Sequence, residues 1–135
     1  MLKVCLDTNV WISGIAFSGA PSEIVNLAFA RKFQVVTSNA ILDELRRNLV
    51  GKFDVHPKKA LSLCFRIAQI ADVYEPTGTV HLIPNNRGDN LVLETAWLGK
   101  AKYLITGDRE HLLPLKMFKH IKIVEPSAFL VRLKN

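Results

Sequence analysis

Short apolar runs alternate with amphipathic helical stretches along this chain, and that alternation leaves few folds open to it. Leu2-Lys3-Val4-Cys5-Leu6, Phe33-Gln34-Val35-Val36-Thr37, residues 102–106 and residues 121–124 read as buried strands. Helical patterns cover residues 9–17, 21–31, 38–50, 57–73 and 89–99, with a short piece near 109–115 and a last helix from about Pro126. Strands separated by helices are βαβ units, which build a mainly parallel sheet with helices on both faces. The expected class is α/β, a three-layer α/β/α sandwich. Local punctuation agrees. Pro21 suits a first helical turn, Ser38 an N-cap, and Gly51 a stop for the helix that Ser38 opens. Thr77 to Gly88, containing Pro84-Asn85-Asn86-Arg87-Gly88, reads as a loop. No repeat or linker interrupts the sequence, so a single domain over 1–135 is expected.

Charge narrows the partners. Eighteen Lys and Arg against twelve Asp and Glu give a net charge of +6, which suits a polyanion such as nucleic acid. The basic residues fall as pairs along helices (Arg31-Lys32, Arg46-Arg47, Lys58-Lys59), the pattern of a folded surface and not of a disordered arm. No stretch approaches the ~20 apolar residues that span a bilayer, and a signal-peptide pattern is missing. Cytoplasmic residence without a membrane is therefore expected. Cys5 and Cys64 stand apart from any CxxC or Cys/His cluster and read as free thiols. Serine-hydrolase, P-loop and dinucleotide motifs do not occur.

Four acids remain to be explained: Asp7, Glu44, Asp89 and Asp108. Asp7 and Asp108 each end an apolar strand, at the sheet edge where α/β proteins bind ligands. Taken singly, each is equally an N-cap of the helix that follows. On helix 38–50, Ile41, Leu42, Leu45 and Leu49 define the apolar face; at roughly 100° per residue Asp43 points into solvent and Glu44 lies on the stripe's margin. Asp89 opens helix 89–99 on the face of Val92, Leu93 and Ala96, with helix capping as its ordinary alternative. Glu94 is expected to face solvent. His56, His81, His111 and His120 read as dispersed surface residues, Trp11 and Trp97 as core, and Met117-Phe118 as core or subunit contact.

Two carboxylates ~4 Å apart repel by about 4 kcal/mol at an effective dielectric near 20. Four in one pocket stay ionised only beside a cation; otherwise some take up protons. Oxygen ligands select a hard ion, Mg²⁺ or Mn²⁺. A carboxylate-held pair of such ions can activate water and stabilise the leaving oxygen of a phosphodiester, and a basic surround would grip the nucleic-acid backbone.

Leu6-Asp7-Thr8-Asn9-Val10, Glu44 within Ile41-Leu42-Asp43-Glu44-Leu45, Asp89-Asn90 and Tyr103-Leu104-Ile105-Thr106-Gly107-Asp108 together resemble the PIN-domain nucleases, and more closely the VapC-type toxins. The resemblance covers nearly the whole chain in the right order. It implies metal-dependent ribonuclease activity on RNA, a homodimer and inhibition by a cognate antitoxin. It places Asp7, Glu44, Asp89 and Asp108 at the family's acidic positions, and Asn9 and Thr106 at supporting polar ones. Relatives often carry more aspartates before the third acid, where this chain has Asn85-Asn86-Arg87-Gly88; one ion or two both remain open. Two rivals stand beside this reading. One is a catalytically silent RNA- or partner-binding module. The other is an aspartyl-phosphate phosphatase of the haloacid dehalogenase type, which resembles Asp-x-Asp at the strand end where this chain has Asn9.

Overall fold

The computed structural model describes residues 1–134. Its elements run β1 (Lys3–Leu6), α1 (Thr8–Ala16), α2 (Ala20–Phe29), β2 (Gln34–Ser38), α3 (Asn39–Phe53), α4 (Pro57–Ile70), β3 (Ala71–Tyr74), α5 (Arg87–Leu98) and β4 (Tyr103–Ile105). A 3₁₀ turn at Leu113–Leu115, β5 (Met117–Phe118), β6 (Ile121–Val124) and α6 (Pro126–Lys134) follow. The strands form one six-stranded sheet in the order β3-β2-β1-β4-β6-β5. All pairings are parallel except the β5–β6 hairpin.

That order positions the site. From β1 the chain steps outward to β2 and β3, then returns past β1 to build β4 and β6 on the other side. The direction reverses between β1 and β4, and the crevice above their carboxyl ends is the expected ligand site of such a sheet. Register fixes what stands there. Leu6 pairs with Ile105, so Asp7 and Thr106 emerge side by side, tied by the Asp7 N–H donating to the Ile105 carbonyl at 2.9 Å.

The central strands are buried on both faces, which explains their unbroken apolar runs. Val4, Cys5, Leu6, Leu104 and Ile105 are all fully buried. Successive side chains point to opposite faces. Tyr103 packs edge-on against Phe129 of α6, and Phe33 does the same, which places α6 on that face. On the opposite face, the end of α5 approaches so closely that a Cβ at Gly99 would sit 2.1 Å from Val36 Cγ1. Both cysteines are buried and free. Among the described residues, no helix is long and apolar enough to cross a membrane.

Several boundaries differ from the sequence reading, each for a local reason. Helix α4 ends at Ile70, and residues 71–73, expected to continue it, form with Tyr74 the edge strand β3; a four-residue run carries too little periodicity to separate the two. Gly51 does not stop α3, which continues to Phe53 and closes on Asp54 in a left-handed conformation (φ 55°). The piece near 109–115 is only a 3₁₀ turn, and β5 was not anticipated. Helix α5 starts at Arg87, not Asp89, because Asn86 is its N-cap. Trp97 is not core: it is 42% exposed with Lys119 Nζ 4.7 Å above its ring. Met117 is likewise exposed, while Phe118 is half-buried.

Candidate metal centre

Asp7 is buried at the switch point, 6% exposed. Its Oδ1 accepts the Thr8 N–H at 2.8 Å, the capping contact that opens α1. Its Oδ2 accepts the Thr106 hydroxyl at 2.7 Å. Capping and a site role are therefore not exclusive: one oxygen is fixed by the helix and the other by β4's end. Thr106 Oγ1 also accepts the Asp108 N–H at 3.0 Å, so one hydroxyl links two of the acids. Asn9, exposed on the first turn of α1, accepts the Gly107 N–H at 3.3 Å and ties α1 to the same turn.

Asp108 folds the chain behind it. Its carboxylate accepts the N–H groups of Glu110 (3.0 Å), His111 (3.2 Å) and Leu112 (3.3 Å). That turn carries His111 back over the site, with Nδ1 3.5 Å from Asp89 Oδ2 and 3.7 Å from Asp108 Oδ2. His111 was read as a surface residue; it is half-buried and stands inside the acidic cluster. The Asp-x-x-His spacing after a strand end was the signal available for it. Donor atoms of Asp89, Asp108 and His111 all lie within 4.8 Å of one another, close to the ~4.5 Å span across an ion with ligands at 2.0–2.3 Å.

Asp89 stands in the first turn of α5, where Asn86 forms a reciprocal cap: Asn86 Oδ1 accepts the Asp89 N–H at 3.0 Å and Nδ2 donates to Asp89 Oδ2 at 2.6 Å. Glu44 is half-buried and Asp43 exposed, as the helical geometry requires. Glu44 approaches the first turn of α5: its Oε2 lies 4.0 Å from where a Cβ at Gly88 would sit. It is also near enough to Asp7 for their charges to interact.

The electrostatics separate these acids. Burial pushes Asp7 up to about 6; the Thr106 and Thr8 bonds oppose that, while the charges of Asp89 and Glu44 add to it. Burial also raises Asp89, and the Asp108 charge adds to it. Burial acts upward on Asp108 too, but its three N–H donors, with His111, outweigh it and hold the group below the ordinary range. Among the described residues, no Lys or Arg forms an ion pair with Asp7, Glu44, Asp89 or Asp108. Two acids, Asp89 and Asp108, and the His111 imidazole thus come within reach of one ion, a donor set a divalent cation fits. Asp7 is not in that group, but the Thr106 hydroxyl links it to Asp108 and the Asp89 charge acts on it.

Glu94 behaves in the opposite way and corrects the sequence reading. It is 1% exposed, and its carboxylate accepts the N–H groups of Thr77, Gly78 (3.0 Å), Thr79 (2.9 Å) and Val80 (3.4 Å). Burial alone would raise it, but these donors outweigh burial and lower it. Helical spacing aimed Glu94 away from the Asp89 face; what it could not show was a loop folded over it.

Comparison with known proteins agrees with this frame. A PIN-domain family model matches residues 3–110. No curated protein sequence matches the chain. Among solved structures, it is similar to VapBC2 from Rickettsia felis bound to a promoter DNA fragment, at 14% identity and TM-score 0.63 over 92% of this chain and 98% of that one. DNA-bound VapBC from Salmonella typhimurium gives 17% identity and TM-score 0.62 over 93% and 99% of the two chains. PAE2754 from Pyrobaculum aerophilum gives 16% and 0.60 over 98% and 90%. At such identities the structural likeness concerns the fold. The family model, spanning most of the sequence from β1 past Asp108, decides the membership: this chain belongs to the PIN-domain family.

Proposed function

We propose that this chain is a divalent-metal-dependent endoribonuclease, the toxin of a toxin–antitoxin pair acting in the cytoplasm. The observation that carries the reading is the meeting of Asp89, Asp108 and His111 next to Asp7, which the Thr106 hydroxyl links to Asp108, with no Lys or Arg partner for these acids among the described residues. Asp7, Glu44, Asp89 and Asp108 would hold Mg²⁺ or Mn²⁺, one ion or two. Bound there, the ion would supply a water of lowered pKa and charge stabilisation for the leaving oxygen of a phosphodiester.

The protein's own groups prepare that chemistry. Thr106 and the Thr8 N–H fix both oxygens of Asp7, and Asn9 holds the turn that delivers Asp108. Glu44, beside Gly88 at the start of α5, would be a ligand or would take the proton of the attacking water on its carboxylate. His111 Nδ1, among the donors, would favour Mn²⁺ over Mg²⁺, since a transition-metal ion accepts a nitrogen ligand more readily than Mg²⁺, which prefers oxygen. The net charge of +6 favours an RNA strand as substrate. Two of the similar structures are VapBC complexes, which supports an antitoxin partner, and a homodimer is the assembly to test first.

The test is cleavage of single-stranded RNA with Mg²⁺ or Mn²⁺ and with EDTA. Cutting that needs the ion and is lost in Asp7→Asn is expected. RNA binding without cleavage in either metal would contradict the proposal and favour the silent module. Growth arrest on expression, relieved by a small neighbouring open reading frame, would identify the toxin role.

A further inference from the structure

Beside the acidic pocket lies a second cleft of about 480 Å³ that carries no acidic side chain. Its size falls within the ~300–1,000 Å³ of small-ligand sites. Its walls are apolar, from Val80, Ile83 and Leu91, and its rim is polar, from His81, Asn86 and Arg87. The loop that forms its outer wall is anchored twice to α5. Glu94 takes the N–H groups of residues 77–80, and the buried Asn90 side chain both accepts from and donates to the backbone of Ile83, at 2.9 and 2.8 Å. The cleft is therefore held open by the same helix that carries Asp89.

Two residues join the cleft to the acids. Asn86 lines it while donating to Asp89 Oδ2. Arg87, exposed, borders it on one side and on the other a smaller 250 Å³ cleft lined by Glu44, Arg47 and Gly88. Arg87 has no ion-pair partner among the described residues. Its guanidinium Nη1 lies 3.7 Å from where a Cβ at Gly78 would sit, and Gly78 has φ +85°. A larger residue at position 78 would be strained by that φ, although its Cβ would make only ordinary contact with the guanidinium.

The geometry points to a nucleotide subsite: the cleft takes the base of a nucleotide adjoining the scissile phosphate, and Arg87 takes its phosphate. Aliphatic walls from Val80, Ile83 and Leu91 can cover the faces of a base, amide and imidazole groups suit its edge, and a guanidinium fork suits phosphate oxygens. The ligand class is a nucleoside monophosphate unit of single-stranded RNA. The assignment deepens the ribonuclease reading and rests on it for its biological substrate.

The experiment uses the full chain without divalent ion, so that binding is read apart from cleavage. Backbone amide NMR would follow titration with AMP, GMP, CMP, UMP and inorganic phosphate. Shifts confined to residues 78–91, with one base favoured, are expected, and they should be lost in Arg87→Ala and weakened in His81→Ala. Equal response to all four nucleotides and to phosphate alone, or no response, would overturn the base subsite. In parallel, Arg87→Ala should lower kcat/KM on RNA by about tenfold or more, mainly through KM, and relax the base preference at one position beside the cut. Unchanged preference in both variants while RNA is still cut would overturn the subsite and leave the nuclease standing. Failure to cut any RNA would strike the nuclease reading, while the NMR titration would still decide the cleft.

Discussion

Two buried carboxylates in this protein have opposite surroundings. Glu94 is ringed by four backbone N–H donors, which lower its pKa against the pull of burial. Asp7 has two donors, but the charges of Asp89 and Glu44 reach it, and burial with those charges brings it up to about 6. A buried acid met by donors is complete within the protein and organises structure. A buried acid met by other acids is left without that compensation, which a bound cation would supply. The same residue chemistry thus separates a structural position from a site through its neighbours alone.

The largest effect that would break this comparison is catalytic. Asp7→Asn should reduce RNA cleavage about a thousandfold or more, because an ion contributes several kcal/mol of charge stabilisation; Glu94→Gln, assayed below its melting temperature, should retain most activity. Equal losses in the two variants would erase the distinction.

Stability should respond in the reverse sense. Asp7 has a folded-state pKa raised above its unfolded value of 3.8, so its ionisation opposes folding. The penalty is absent below about pH 4, grows as pH rises through 6, and reaches about 3 kcal/mol at neutral pH without metal. Chemical denaturation in EDTA should therefore find Asp7→Asn more stable than wild type at pH 7 by up to that amount, with the gap closing towards pH 4.

For Glu94 the sign inverts, because its folded-state pKa is lowered: its contribution is present above its unfolded pKa and lost as pH falls through the folded one. Glu94→Gln should destabilise by about 1–3 kcal/mol, the cost of leaving buried donors poorly matched. Hydrogen exchange should speed up first at residues 77–80.

A smaller effect concerns His111. His111→Ala should leave the fold intact and weaken Mn²⁺ binding more than Mg²⁺ binding, by about tenfold or less for Mn²⁺; calorimetric titration with each ion would measure it. An unchanged ratio of affinities would remove the imidazole from the donor set.

Much of the fold was legible because the buried strands and their helices carry strong, distinct periods. Edge strand β3 was not, since four residues following a helix, three half-buried and Val73 exposed, look like its last turn. Asp7 and Asp108 were visible as acids at strand ends, and the Ile41–Leu49 face separated Glu44 from Asp43. The fate of Glu94 and His111 depended on chain segments folding back over them, through Glu94's contacts to residues 77–80 and Asp108's turn. Helical spacing carries no record of such returns.

The most direct test of the central claim is thermal melting of wild type and Asp7→Asn at pH 7, with EDTA and with Mn²⁺. A ligand bound only by the folded state raises its stability by mass action. Wild type should melt lower than the variant in EDTA and rise on adding Mn²⁺, while the variant stays in place. No rise in wild type, or an equal rise in both, would contradict a cation site built on Asp7.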